Sequence, residues 1–101
     1  RRKRMSVKFV EVYDCGVGTT RRNYSLRTVF INPDYVVCLR EDVDTNSLLK
    51  EGKLPTDLDK RQVFTCVSIN KGTYGQDIIV VGPVEETYNK LNIEKRQLLK
   101  G

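Results

Sequence analysis

The chain has 101 residues, of which 39% are hydrophobic and 31% charged, and its 18 Lys and Arg residues exceed its 13 Asp and Glu residues by five. This length suits one compact domain, and no apolar stretch approaches the ~18 residues of a membrane-spanning helix. Because the sequence has no histidine, histidine-dependent catalytic triads and Cys/His zinc sites are excluded.

The positive charge is concentrated at the start of the chain. Residues 1–4 are all Arg or Lys and supply four of the five net positive charges. We therefore interpret residues 1–5 as a basic N-terminal arm that precedes a nearly neutral domain. A functional arm of this kind contacts phosphates or acidic partners, whereas most short charged runs are solvated termini.

The first half of the chain predicts three strands. Residues 7–13 and 24–31 are rich in β-branched and aromatic residues, with apolar side chains at alternate positions, which is typical of strands. A loop with two glycines separates them. Residues 32–34, Asn-Pro-Asp, predict a turn, because proline fixes φ and the flanking side chains cap nearby amides. We expect residues 35–40 to form a strand that pairs with 24–31.

Residues 41–60 interrupt the β pattern and form an acidic insertion. Within the insertion, residues 46–51 predict one or two helical turns, capped by Thr45 or Asn46 and ended by a glycine. Strand character returns at residues 62–69 and again at 77–81, and the glycines between these runs favour a hairpin.

The end of the chain predicts an amphipathic helix. Pro83 suits its first position, and Val84, Tyr88 and Leu91 recur at helical spacing, which gives one apolar stripe to dock on the sheet. Residues 93–101 then form a C-terminal tail or a second short helix.

These elements predict a mainly β fold, a five-stranded antiparallel meander or small barrel with a C-terminal α-helix. The corresponding organisation is an arm over residues 1–5, a single β domain over 6–92 with the insertion 41–60, and the tail over 93–101.

The three cysteines do not indicate a metal site or a nucleophile. Cys15, Cys38 and Cys66 form no C-x-x-C pair and no His accompanies them, so zinc ligands and a catalytic base are both missing. Cys38 and Cys66 lie in apolar strands, where we expect core residues, and Cys15 is the exposed thiol. We predict no catalytic residue, no metal and no cofactor.

One Arg- and Tyr-rich stretch is the candidate binding surface. Arginines contact phosphates and tyrosines stack on bases, but the same residue types also anchor protein interfaces and charge protects ordinary edge strands. The predicted site residues are Arg21, Arg22, Tyr24, Arg27, Lys71 and Tyr74.

Two segments resemble a known family. Residues 29–37, Val-Phe-Ile-Asn-Pro-Asp-Tyr-Val-Val, and residues 79–91 resemble the small FlbD/SwrD-like flagellar-motility proteins and similar phage proteins, which show an Asn-Pro-Asp strand-turn-strand and a final run into a short helix. Those proteins are shorter and lack the insertion 41–60 and the Arg21/Arg22 segment. The resemblance implies a bacterial or phage cytoplasmic protein without enzymatic activity, and it carries over no catalytic residue.

The sequence therefore predicts a non-enzymatic binding module, a small phage or bacterial protein that binds and modulates a partner or host protein. The alternative is a nucleic-acid-binding small β-barrel that uses the Arg/Tyr surface. We expect no membrane partner and a cytoplasmic location, and exposed edge strands leave a homodimer by strand addition open.

Overall fold

The computed structural model describes residues 6–15, 24–55 and 58–100, with side chains as far as residue 92. Within these residues the elements are β1 (Val7–Asp14), β2 (Tyr24–Ile31), a 3-10 turn (Pro33–Tyr35), β3 (Val36–Glu41), α1 (Val43–Lys50), β4 (Phe64–Lys71), β5 (Tyr74–Val81) and α2 (Val84–Lys100). The predicted mainly β class, with five antiparallel strands and a C-terminal helix, is confirmed.

The strand order is β2-β1-β5-β4-β3, and every neighbouring pair is antiparallel. This is the cyclic order of an up-and-down barrel that is open between β2 and β3. Five strands cannot alternate in direction around a closed ring, and in this order the odd pair is β2 and β3, which run the same way. The predicted pairing of residues 35–40 with 24–31 is therefore wrong, because β3 pairs with β4.

A short connection crosses the open seam and curls the sheet. The Asn32 side chain accepts a hydrogen bond from the Asp34 amide at 2.9 Å, and the Tyr35 amide donates to the Asn32 carbonyl at 3.1 Å, as the Asn-Pro-Asp turn predicts. Five Cα steps from Ile31 to Val36 span at most ~17 Å, whereas a flat five-stranded sheet is ~19 Å wide between edge strands. The two edges must therefore curve toward each other.

The curled sheet buries a core on each face. The inner cluster contains Val7, Phe9, Ile31, Val67, Ile78, Val80 and Leu91. The outer cluster contains Val12, Leu49, Leu54 and Phe64. Alternate residues of the strands supply the inner cluster, and α2 contributes Leu91 to it. Because Leu49 and Leu54 are buried in the outer cluster, the insertion 41–60 covers the outer face of the sheet.

Both helices differ in detail from their predictions. Helix α1 begins at Val43, directly after Asp42, rather than at residue 46. Helix α2 is continuous through residue 100, without a break near residue 93. Among its described side chains, Thr87 and Leu91 are buried and Val84 is half-buried, whereas Tyr88 is 55% exposed. Leu91 therefore docks on the sheet as predicted, and Thr87 takes the place of Tyr88.

Candidate functional site

The predicted Arg/Tyr residues that the structure describes do not share one surface. Arg21, Arg22 and the arm 1–5 lie outside the described residues. Tyr24 and Arg27 are three residues apart on β2 and therefore point to opposite faces. Tyr24 is half-buried against the outer cluster, whereas Arg27 pairs across the inner face with β1.

Arg27 is engaged by an intramolecular carboxylate. Its Nε donates to Glu11 Oε1 at 2.9 Å and its Nη2 to Oε2 at 3.5 Å, and the guanidinium lies 4.0 Å from the centre of the Tyr13 ring. The hydrogen bond that Arg27 donates to Glu11, whose side chain is only 11% exposed, raises the pKa of Arg27. Arg27 thus compensates the negative charge of the nearly buried Glu11 carboxylate. This ion pair weakens the attraction of Arg27 for an external phosphate.

Lys71 and Tyr74 face each other across the β4–β5 hairpin. The two-residue loop between them starts with Gly72, whose φ is +68°, a conformation that hairpin turns of this length need and glycine supplies cheaply. Lys71 Nζ lies 5.3 Å from the centre of the Tyr35 ring, and the exposed Tyr74 donates its hydroxyl proton to Gln76. These contacts form a local cluster at the hairpin, separate from Arg27.

A cavity lies elsewhere in the described chain, between β3 and α2. This β3–α2 groove has a volume of about 900 Å³. Its apolar wall residues are Val36, Val37 and Leu39 from β3 and Val84, Tyr88 and Leu91 from α2, and Pro33 and Pro83 also line it. Val37 is 64% exposed, so apolar surface at the groove is in contact with water.

Backbone contacts fix the start of α2 beside the end of β3. The Gly82 amide donates to the Val63 carbonyl at 2.8 Å, and the buried Thr65 hydroxyl donates to the Gly82 carbonyl at 2.8 Å. On the other side of β4, the Asp42 amide donates to the Phe64 carbonyl at 3.0 Å. Since α2 then packs against the 3-10 turn that precedes β3, the helix runs antiparallel to the strand along the groove.

Strand β3 presents an edge to this groove. Among the described residues it pairs only with β4, and groove-lining residues come from both its faces, including Cys38 and Leu39. Backbone groups alternate in direction along a strand. Because Asp42 points its amide at β4, Arg40 also points its backbone groups at β4, and Leu39 and Glu41 point theirs at the open edge.

The charged side chains that line the groove are both acidic. Glu41 and Glu85 lie at the end where α2 begins. Glu41 Oε2 accepts a hydrogen bond from the neutral Asn46 side chain at 3.2 Å, and no ion pair joins either carboxylate to a described residue. Within the described part of the chain, this end of the groove therefore carries two carboxylates without a cationic side-chain partner, although the whole chain is basic.

The exposure of two of the three cysteines agrees with the sequence prediction. Cys15 is exposed and Cys66 is buried, as predicted, but Cys38 is exposed. The side chain of Cys38 lies at the edge strand, where no further layer covers it, and its Sγ is 3.4 Å from Arg40 Nη1. Burial raises the pKa of the Cys66 thiol, and the nearby Arg40 guanidinium opposes this shift.

Sequence reasoning missed the groove residues because it assigned them to the core. Two signals were present in the sequence. Residues 36–38 are consecutively apolar, which departs from the alternation of a strand with one wet face and fits an edge with apolar surface on both sides. The second signal is Thr87, because a threonine hydroxyl in a helix can bond the carbonyl four residues earlier and so be buried. In the structure it donates to the Pro83 carbonyl at 3.0 Å.

Comparisons with known proteins identify no relative: no family model matches the chain, and neither a curated protein nor a solved structure matches it significantly. Among the described residues, no helix has both the length and the apolar character needed to cross a membrane. The same residues contain no group of three or more Cys, Asp or Glu side chains arranged to hold a metal ion.

Proposed function

We propose that this protein is a binding module that captures an extended segment of a partner protein in the β3–α2 groove. The segment adds to the sheet as a further strand on β3 and places its apolar side chains against α2. The observation that carries this proposal is the coincidence of an open strand edge with a wide apolar groove. Strand addition uses these two features together, since main-chain hydrogen bonds give affinity and pockets give specificity.

The dimensions of the groove suit a short peptide. The six residues of β3 extend for ~20 Å, which matches five or six residues of an extended ligand. Val37 and Tyr88 are largely exposed in the free protein, so they gain burial when a ligand covers them.

The nucleic-acid alternative has less support from the contacts around its residues. Arg27 is paired with Glu11, and Tyr24 packs on the opposite face of β2. Binding through Arg21, Arg22 and the arm 1–5 stays a prediction. The identity of the partner as a host protein of a phage or a bacterial protein likewise rests on the family resemblance and stays a prediction.

A random octapeptide library displayed on phage, selected against the full chain, tests the proposal. We expect enriched peptides whose synthetic versions bind in a fluorescence polarisation assay. Burying a valine side chain is worth about 1.5–3 kcal/mol, so loss of the exposed 64% of Val37 in Val37→Asp weakens binding by about 5- to 30-fold or more.

A matched substitution controls for surface charge and stability. Val43 on α1 is 61% exposed and lies outside the groove lining, so Val43→Asp makes the same chemical change at equal exposure. We expect it to bind peptide within twofold of the parent chain. The proposal is overturned if the library yields no binder, or if the two variants bind equally well.

The oligomeric state in solution tests whether a second copy occupies the groove instead. We expect light scattering to report a monomer over the concentrations of the binding assay. A dimer that Val37→Asp dissociates would identify another copy of the chain as the occupant and overturn the proposal of a foreign peptide. A dimer of the parent chain that still binds peptide, and that persists in Val37→Asp, would place its interface elsewhere and support the groove.

A further inference from the structure

We infer that the β3–α2 groove selects segments with a basic residue followed by apolar residues at alternate positions. This inference rests on the proposed function and specifies the chemistry of its ligand. The ligand runs antiparallel to β3, its Lys or Arg faces Glu41 and Glu85, and its apolar side chains, two and four residues later, lie along the rest of the groove.

The charge at one end of the groove favours a cation. Glu41 and Glu85 are the acidic lining residues, and neither lysine nor arginine lines the described groove. Among the described side chains, the one hydrogen-bond donor to these carboxylates is the neutral amide of Asn46. An added ammonium or guanidinium group therefore meets two negative charges without displacing an existing partner cation.

The same end of the groove disfavours a peptide's terminal carboxylate. The N-terminus of a helix attracts anions through its free amides and dipole, and α2 begins here. Glu85 and Glu86, however, occupy its first turn, and Glu41 lines the same groove. These carboxylates already complement the helix terminus and repel a further anion, so a peptide's terminal carboxylate does not occupy this end of the groove.

The direction of the ligand follows from strand geometry. Antiparallel pairing is more stable per residue than parallel pairing, and β3 runs from Val36 to Glu41. An antiparallel ligand thus begins at the Glu41 end and finishes near Val36. Side chains on one face of a strand recur every second residue, so a basic residue opposite Glu41 is followed by apolar residues opposite Leu39 and beyond it.

Three synthetic peptides with blocked termini test the inference. The first has seven residues with lysine at position 2, valine at 4, leucine at 6 and serine or threonine elsewhere. The second has glutamate in place of the lysine, and the third has the first sequence reversed. By fluorescence polarisation at about 50 mM NaCl we expect the first to bind about tenfold more tightly than the second, and the difference to shrink at about 500 mM NaCl.

Charge reversal in the protein provides the second test of the inferred preference for a basic residue. The double variant Glu41→Lys/Glu85→Lys is expected to prefer the glutamate peptide. The control Asp44→Lys/Glu51→Lys makes the same change in net charge on and just after α1, outside the groove lining, and is expected to keep the preference for lysine. Thermal unfolding of both variants verifies that they are folded.

The outcomes separate this inference from the proposed function. If the lysine and glutamate peptides bind equally and Val37→Asp weakens both, the groove binds peptides but the inferred selectivity is wrong. Tighter binding of the reversed peptide overturns the antiparallel direction. A control double variant that inverts the preference as well would assign the effect to net charge and overturn the role of Glu41 and Glu85. If neither these peptides nor the library binds, the proposed function itself fails.

Discussion

The hydrogen bond between Thr65 and Gly82 ties α2 to the sheet and gives the sharpest stability prediction. Thr65 is fully buried, and its hydroxyl donates to the buried carbonyl of Gly82 at 2.8 Å. In Thr65→Val the side chain keeps its branched shape but cannot donate. A buried carbonyl without its partner costs about 1–3 kcal/mol, because it lost water on folding and regains nothing.

This loss is large enough to measure by thermal unfolding. For a domain of this size each kcal/mol shifts Tm by about 4–8 °C, so we expect circular dichroism to report a Tm lower by roughly 5–20 °C. Thr28→Val is the matched control, since Thr28 is exposed on β2 and its change stays within about 0.5 kcal/mol. If both variants unfold at the temperature of the parent chain, the hydrogen bond does not hold α2 in place.

Three further predictions test other parts of the fold. Gly82 has a φ of +128°, so Gly82→Ala strains the backbone and lowers the free energy of unfolding in urea by about 1–3 kcal/mol. In the control Gly75→Ala, φ is not positive and the new Cβ lies 3.6 Å from the Ile69 carbonyl oxygen, so the loss is less than about 1 kcal/mol. Burial raises the pKa of the Cys66 thiol, so the contribution of this thiol to the free energy of unfolding is fully present below the ordinary thiol pKa and is lost as the pH rises through the raised pKa. Cys66→Ala removes this loss of stability at high pH. A pH profile of unfolding that is the same in Cys66→Ala and the parent chain would contradict this prediction. Arg27→Gln lowers the midpoint of urea unfolding more than Arg40→Gln does, because Glu11, the partner of Arg27, is 11% exposed and Asp77, the partner of Arg40, is 55% exposed. Equal midpoints for the two variants would show that the burial of Glu11 has no effect on stability.

Local sequence patterns predicted the strands because each pattern acts within a few residues. Alternating side chains mark residues 7–13 and 24–31, and the structure forms β1 and β2 there. The Asn-Pro-Asp turn was also predictable, since Asn32 caps an amide only two residues away. Such interactions need no information about distant parts of the chain.

Strand pairing was less predictable because it depends on the whole sheet. The expectation that 35–40 pairs with 24–31 assumed that neighbours in sequence are neighbours in space. In this chain the odd number of strands leaves β2 and β3 running in the same direction across the seam, so β3 takes β4 as its partner. Nothing within residues 35–40 distinguishes these two pairings.

The groove was unpredictable for a similar reason. Its walls come from β3 and α2, which are more than 40 residues apart, and the phase of α2 is set by where Gly82 and Pro83 start the helix. A shift of one residue places Thr87 rather than Tyr88 in the core. Hydrophobicity alone ranks tyrosine above threonine for burial, and therefore selects the wrong residue at this one position of the stripe.

The edge of β3 also carries features that limit unwanted pairing. A bulge interrupts its register between Val36 and Cys38, and Arg40 and Glu41 add charges beyond it. Natural sheets use bulges and charges to prevent edge-to-edge aggregation. On β3 the bulge and the charges leave only a short segment of the edge available for pairing. This favours a short ligand of complementary charge over pairing with the sheet edges of other proteins.

Amide hydrogen exchange on the peptide complex tests the central claim most directly. On saturation with a library-selected peptide, we predict that exchange slows at the Leu39 and Glu41 amides, which point at the open edge of β3, and changes little at Arg40, which already faces β4. Unchanged exchange at Leu39 and Glu41, together with new protection at β2 or the β4–β5 hairpin, would contradict strand addition in the β3–α2 groove.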